Sequence, residues 1–293
     1  MRPTAPRDRT GQTCTQECLL PLPTRFPIIL AHGIFPFSRL YWPLAGRDNE
    51  AGDRFHYFRK IRSTLLRHGY TVFHTRVSWG GGVERRARDL RNAILRLTDG
   101  FRRWPRVHII AHSMGGLDAR RMLFTYRMER RIASLTTIGT PHLGTSYADW
   151  GVRRFEFLIP LCRVFGLRIE GVRDLTRASC SRFNAMAAGY ESQNGVRYRT
   201  VAGVQPGGRI FLPMRFAHRI IRKEEGESDG LVPLASAIWR EEFHLRTLDA
   251  DHLNEIGWWN VGEKRAGISR REFESRIQHL YLELAEGLED CPP

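Results

Sequence analysis

Lysine is nearly absent from this chain of 293 residues. Only Lys60, Lys223 and Lys264 occur, so 43 of the 46 basic residues are arginine, and the net charge is +15. Such a surface attracts anionic partners, lipid or nucleic acid, over long distances. The arginines are dispersed without a long basic run, which argues against a specific nucleic-acid-binding tail and is also what biased codon usage produces.

Paired cysteine motifs are also lacking. The five cysteines do not show the CxxC and histidine spacing of a zinc site, so we expect no metal bound through sulfur. Cys162 and Cys180 are candidates for one disulfide, but two free buried thiols explain the pattern equally well.

Long apolar runs are missing as well. Residues 1–27 are rich in proline, threonine and arginine and have no apolar signal-peptide core, and no stretch approaches the roughly 18 to 20 apolar residues of a membrane span. We expect a flexible lead over residues 1–24. Cytoplasmic location is the default expectation, and export would need a different start or another route.

From residue 25 onward, short apolar runs alternate with amphipathic stretches. This alternation predicts βαβ units, and continuous apolar runs predict strands buried in a parallel sheet. We therefore expect a single doubly wound, mostly parallel α/β domain over residues 25–293. The predicted strands are 26–31, 70–77, 107–111, 132–138, 198–204 and 243–248, and the predicted helices are 83–98, 116–130 and 270–288.

One amphipathic insertion, at about 147–186, interrupts this alternation. It interleaves aromatic and aliphatic side chains with arginines. An apolar face of this size is typical of a lipid or partner surface, although packing of the insertion onto the domain explains it nearly as well.

Ser113 lies where a predicted strand turns into a predicted helix. A nucleophile elbow needs small residues two positions before and two positions after the serine, because the sharp bend brings them against neighbouring backbone. Ala111 and Gly115 meet this requirement. The context predicts that Ser113 is a nucleophile.

The loop after the first predicted strand carries His32 and Gly33. We expect the glycine to let the chain turn, so that the Ile34 N–H and the Met114 N–H at the helix start form an oxyanion hole.

A serine nucleophile in this strand and helix order calls for an acid and then a histidine later in the chain. Asp229 lies in a turn after the predicted strand 198–204, and His252 directly follows the strand 243–248. We predict that His252 is the base and that Asp229 orients it.

Several other residues compete for these roles. His32, His112 and His142 also flank the predicted cleft, and we expect His112 to serve packing because elbow neighbours point away from the reacting bond. Asp249 and Asp251 are alternative acids, but both lie close to His252 in sequence.

Five ordered motifs over residues 25–257 resemble bacterial triacylglycerol lipases. They are PIILAHGI at 27–34, AHSMGG at 111–116, IGTPHLG at 138–144, SDGLVP at 228–233 and DHLNE at 251–255. The resemblance implies an α/β-hydrolase fold, carboxylic ester hydrolysis and a helical lid, which would be the insertion at 147–186.

Those lipases often bind a structural calcium through two aspartates. One lies shortly before the acid of the triad, and the other lies two residues after the triad histidine. Here Asn254 stands two residues after His252, and no aspartate occurs between Val204 and Asp229. Because calcium prefers charged oxygen ligands, we expect no metal and no cofactor.

The expected substrates are long acyl esters, with contact at an anionic lipid surface. A short-chain carboxylesterase and a lipid acyltransferase remain open, since an acyl-enzyme can also be attacked by an alcohol. A non-catalytic basic module that binds anionic surfaces is the alternative outside the enzymes.

Overall fold

The computed structural model describes residues 24–34, 50–78, 80–155 and 170–288. The predicted lead, up to residue 23, and residues 156–169 of the insertion lie outside these ranges.

The described residues form one sheet of six parallel strands in the order β2-β1-β3-β4-β5-β6. Every residue of β1, β3 and β4 is buried, as the continuous apolar runs predicted. The strands are β1 Ile28–Ala31, β2 Val72–His74, β3 Val107–His112, β4 Ile132–Ile138, β5 Arg197–Val204 and β6 His244–Asp249.

Helices fill the connections between the strands and confirm the doubly wound α/β class. They are α1 Glu50–Asp53, α2 Ile61–Arg67, α3 Val83–Leu97, α4 Met114–Tyr126, α5 Ser146–Phe155, α6 Glu170–Asp174, α7 Arg177–Glu191, α8 Arg215–Glu224, α9 Leu234–Ile238, α10 Val261–Arg265 and α11 Arg270–Glu286. The helix predicted at 116–130 ends earlier, because Arg127 takes a left-handed conformation (φ 50°) that closes it.

The core has two halves, one on each face of the sheet. Ile28 and Leu30 pack towards α2 and α11, whereas Ile29 and Ala31 pack towards α3 and α4. Because successive strand residues point to opposite faces, β1 contributes to both halves. The carboxyl ends of the strands meet at one edge of this sandwich, where ligands bind in open α/β sheets.

The predicted insertion at 147–186 divides into parts that pack differently. Helix α7 extends beyond it to Glu191, and the buried Arg120 on α4 donates to the Glu191 carboxylate at 2.8 Å. Helix α7 is therefore an outer layer of the domain, which leaves α5 and α6 as the described parts of the insertion near the sheet edge.

Within the described ranges, no helix combines the length and apolarity needed to cross a bilayer.

Candidate active site

Ser113 occupies a strained turn between β3 and α4. Its backbone has φ 56° and ψ −135°, a conformation that costs a non-glycine residue about 1–3 kcal/mol. Gly115 must be small, because a Cβ atom there would stand 2.5 Å from the Ala31 carbonyl oxygen. The predicted elbow is present, with the serine side chain at the carboxyl edge of the sheet.

Three side chains from three loops form one hydrogen-bonded line at this edge. His252 Nε2 lies 2.9 Å from Ser113 Oγ, and His252 Nδ1 lies 2.6 Å from Asp229 Oδ2. Ser113 follows β3, Asp229 follows β5 and His252 follows β6. The structure thus brings together the three residues that the sequence singled out.

Asp229 is suited to accept a hydrogen bond from a protonated ring nitrogen of His252. Its other oxygen, Oδ1, accepts the N–H groups of Leu231 at 2.8 Å and Val232 at 2.7 Å. These donors stabilise the ionised carboxylate in a fully buried position. We assign the His252 proton to Nδ1, which leaves Nε2 free to accept from the Ser113 hydroxyl.

The competing histidines have other partners. His142 Nδ1 accepts from Arg120 and Nε2 contacts Thr137 Oγ1 at 2.9 Å, and burial lowers the pKa of His142 well below its usual value. His32 Nδ1 donates to the Gly33 carbonyl at 2.8 Å, and burial lowers its pKa to about 3. Both rings remain neutral and serve structure.

Asp249 and Asp251, the competing acids, also have other partners. Asp249 pairs with Arg209 at 2.7 Å near the surface. Asp251 accepts the backbone N–H groups of Leu253 and Asn254 through Oδ1 at 3.0 and 2.9 Å, so it holds the turn that presents His252. Its pKa is raised to about 6, chiefly by burial.

Glycine at position 33 is required by close approach to the nucleophile. Gly33 does not have the positive φ that would explain a glycine by backbone conformation. A Cβ atom there would stand 2.6 Å from Ser113 Cβ. Glycine is therefore needed at position 33 for steric reasons, and not for the turn that we expected from the sequence. Ile34, the next residue, lines the same cavity as Ser113.

Sequence reasoning missed Arg86, a fully buried arginine on α3. Its Nε donates to Asp118 of α4 at 2.9 Å, and its Nη2 donates to the His32 carbonyl at 2.8 Å. Arg86 therefore fastens the loop of Gly33 to the helix that begins at the nucleophile. One arginine among several in the same helix offers no sequence signal for this role.

Sequence reasoning also missed a buried network behind His252. Glu255 Oε2 lies 3.0 Å from His112 Nε2 and 3.7 Å from His252 Nδ1, and His112 Nδ1 lies 2.7 Å from Tyr57 Oη. Burial and the charge of Asp229 raise the pKa of Glu255 well above its usual value. The role of His112 is therefore wider than packing.

A mostly apolar cavity of about 500 Å³ opens above Ser113 and His252. Its wall includes Tyr147, Trp150 and Val152 of α5 and Val172 of α6, so the described part of the insertion contributes to the wall. A cavity of this size is within the range of small-molecule sites.

The residues present do not fit the calcium site that the resemblance implies. The Asn254 side chain is fully buried; its Oδ1 accepts the Asp251 N–H at 3.1 Å, and its Nδ2 donates to the Trp258 carbonyl at 2.8 Å. Each polar atom of this amide therefore has a partner within the loop. Among the described residues, His112, His252 and Glu255 place ligand atoms within 4.8 Å of one another, but a metal there would take His252 from Ser113 and Asp229.

Cys180 is a free, buried thiol whose Sγ contacts the Asp174 carbonyl at 3.4 Å. Burial raises its pKa to about 12. Cys162, its candidate disulfide partner, lies outside the described residues.

Known proteins resemble this chain in sequence and in fold. A family model described as the PGAP1-like alpha/beta domain matches residues 75–157. The triacylglycerol lipase of Vibrio cholerae is 35% identical over 265 residues, which cover 77% of this chain and 79% of that protein. Triacylglycerol lipase 2 of Saccharomyces cerevisiae is 30% identical over 219 residues, which cover 70% of this chain but only 63% of the yeast protein.

Solved lipase structures share the fold. A Bacillus licheniformis lipase in mature form superposes with a TM-score of 0.65 at 18% identity and covers 91% of this chain and 94% of its own. A Staphylococcus hyicus lipase gives 0.64 at 18% identity and covers 92% and 98%. Given the elbow, the parallel sheet and the similarity to the Vibrio protein, the chain belongs to the triacylglycerol lipase family of α/β-hydrolase serine hydrolases, which are carboxylic ester hydrolases.

Proposed function

We propose that this protein is a lipase that hydrolyses long acyl esters such as acylglycerols, with Ser113 as nucleophile, His252 as base and Asp229 as the orienting acid. The observation that carries the proposal is the hydrogen-bonded line from Asp229 through His252 to Ser113, at the floor of an apolar cavity.

The chemistry follows from the proton positions. His252 Nε2 takes the hydroxyl proton as Ser113 Oγ attacks the ester carbonyl, and Asp229 stabilises the resulting imidazolium. The N–H groups of Ile34 and Met114 donate hydrogen bonds to the carbonyl oxygen, on which negative charge develops. The proton then passes to the leaving alcohol, and water attacks the acyl-enzyme with His252 again as base.

A long acyl chain suits the apolar wall of the cavity. Burial of each CH₂ contributes about 0.8 kcal/mol, so the wall of α5 and α6 favours longer chains over short ones. Activity on p-nitrophenyl esters of increasing chain length tests this. A steep preference for the shortest esters, with no gain in rate once the ester concentration exceeds the micellar limit, would indicate a carboxylesterase instead.

An anionic lipid surface suits the mouth of the cavity. Leu212 and Phe216 are 72% and 51% exposed there, and the Phe216 ring lies 4.9 Å from that of Trp150, which lines the cavity. Arg219 and Lys223 follow Phe216 on the same face of α8 and are exposed. Apolar side chains beside basic ones are typical of a helix that lies on anionic lipid.

Vesicle binding tests this surface with the inactive Ser113→Ala protein. We expect stronger binding to phosphatidylcholine vesicles that contain phosphatidylglycerol, and Arg219→Gln/Lys223→Gln should weaken it. Arg102→Gln/Arg130→Gln is the matched control, because these exposed arginines precede β3 and β4 at the opposite edge of the sheet. Equal loss in both variants would contradict a localised surface.

Labelling with a fluorophosphonate probe, followed by peptide mapping, tests the nucleophile. We expect label on Ser113 that disappears in His252→Ala. Absence of label in folded protein, with and without detergent to open the site, would overturn the assignment. A steep dependence of DNA binding on salt, together with no label, would favour a basic binding module.

Hydrolysis is distinguished from acyl transfer by product analysis in the presence of glycerol. Free acid as the main product supports the lipase, whereas acylglycerol in excess of free acid would favour a transferase.

A further inference from the structure

The buried network behind His252 contains one proton whose position can be deduced. The Asp229 carboxylate accepts three hydrogen bonds, and Glu255 lies beside it with no exposed surface. Two neighbouring buried carboxyl groups do not both ionise, which accords with the raised pKa of Glu255. Glu255 therefore carries a proton.

That proton belongs on Oε2. Glu255 Oε1 has no hydrogen-bond partner among the described residues, whereas Oε2 lies 3.0 Å from His112 Nε2. A proton on Oε1 would be an orphaned buried donor, which costs more than an unpaired carbonyl oxygen. Glu255 Oε2 therefore donates to His112 Nε2.

This donation determines the tautomer of His112. Burial lowers the pKa of His112 well below its usual value, so the ring is neutral and has a single N–H. Because Nε2 accepts from Glu255, the hydrogen is on Nδ1, which donates to Tyr57 Oη at 2.7 Å. The Tyr57 oxygen is thus an acceptor in the network, and its own hydrogen is left for another partner.

Tyr57 faces the reacting centre. It lines the same cavity as Ser113, and the point where a Cβ of Gly33 would stand is 2.9 Å from Tyr57 Oη and 3.0 Å from Ser113 Oγ. Burial raises the pKa of Tyr57, so the phenol keeps its hydrogen throughout the physiological range. The phenol is therefore a neutral donor on the Gly33 side of the nucleophile.

We propose that the Tyr57 hydroxyl is a third donor to the oxyanion, beside the Ile34 and Met114 N–H groups, oriented by the relay from Glu255 through His112. The inference rests on the proposed function. In the tetrahedral intermediate the O–H group donates a hydrogen bond to the negatively charged carbonyl oxygen. No proton is transferred, and the hydroxyl returns to its resting position when the intermediate collapses.

The test is Tyr57→Phe, measured on a short soluble ester and with a trifluoromethyl ketone, which mimics the tetrahedral intermediate. We expect kcat to fall about 10- to 100-fold with KM changed less than about twofold, since loss of one oxyanion donor affects the transition state selectively. Affinity for the ketone should fall by the same factor as kcat/KM.

Tyr198→Phe is the matched control. Tyr198 is a buried tyrosine of β5 whose hydroxyl accepts from Asn194 at 2.8 Å and which does not line the cavity. It should leave kcat and ketone affinity unchanged.

The outcomes separate this inference from the proposed function. If wild-type Ser113 takes the fluorophosphonate label and Tyr57→Phe keeps full kcat, only the Tyr57 role fails. A loss of kcat without a matching loss of ketone affinity would likewise overturn it, because a purely structural defect produces that pattern. If the wild type takes no label, the proposed function itself fails.

Discussion

Gly33 lies against Ser113 so closely that a Cβ atom added to it would stand 2.6 Å from Ser113 Cβ and 3.0 Å from Oγ. The turn at Ser113 cannot move away from Gly33, because Gly115 is already packed against the Ala31 carbonyl. We expect Gly33→Ala to lower kcat on the order of 10²-fold by displacing the nucleophile. Steady-state kinetics on a soluble ester measures this.

Gly189→Ala is the control for that substitution. Gly189 lies within helix α7, and a Cβ there would meet nothing within 4 Å. Activity should be unchanged, with stability raised by about 0.5–1 kcal/mol. Full activity in Gly33→Ala would contradict the close packing.

Asp229→Asn should lower kcat by about 10⁴-fold, because the amide favours the wrong tautomer of His252. The matched comparison is the double variant Asp229→Asn/Glu255→Gln. Glu255 Oε2 lies 3.7 Å from His252 Nδ1, and its ionisation becomes easier once Asp229 is neutral, so we expect the double variant to show the larger loss. Near-normal kcat in the double variant Asp229→Asn/Glu255→Gln would contradict the role of Asp229.

Glu255→Gln should change how stability depends on pH. The folded-state pKa of Glu255 is raised above the usual 4.5, so its contribution to stability is complete below that value and is lost as the pH rises towards the folded-state pKa. Glutamine does not titrate. The Tm of the variant relative to wild type should therefore increase as the pH rises above 4.5. Parallel curves would show that Glu255 is ionised in the folded protein.

Chelation by EDTA should leave Tm and activity unchanged, because Asn254 closes the loop of His252 through hydrogen bonds to Asp251 and Trp258. Asn254→Ala should instead lower stability by about 1–3 kcal/mol, since it leaves buried backbone groups unpaired. A Tm that falls with EDTA and recovers with added calcium would contradict this account.

Much of the fold was predictable because its signals are local. The buried strands are continuous apolar runs, and Ser113, Asp229 and His252 each follow such a run. In a parallel sheet the carboxyl ends of strands meet at one edge, so local motifs were sufficient to predict that these residues lie near one another. The α/β class and the elbow follow from the same reasoning.

The choice among neighbouring candidates depended on tertiary structure. Asp229 and Asp251 are both acids near His252, yet only the folded chain turns Asp229 towards the ring and directs Asp251 into its own backbone turn. The buried Arg86 and Glu255 have no local signal, since their partners are 32 and 143 residues away in sequence.

The sequence by itself determined the strand pattern, the elbow and the types of residue available for chemistry, because these depend on local periodicity and on small side chains at fixed spacing. Only the tertiary structure decided which groups are buried together, and burial beside another charge determines whether a carboxyl group such as Glu255 carries a proton. Hydrogen-bond directions in the network of Tyr57 and His112 follow from that proton, so they depend on contacts between distant parts of the chain.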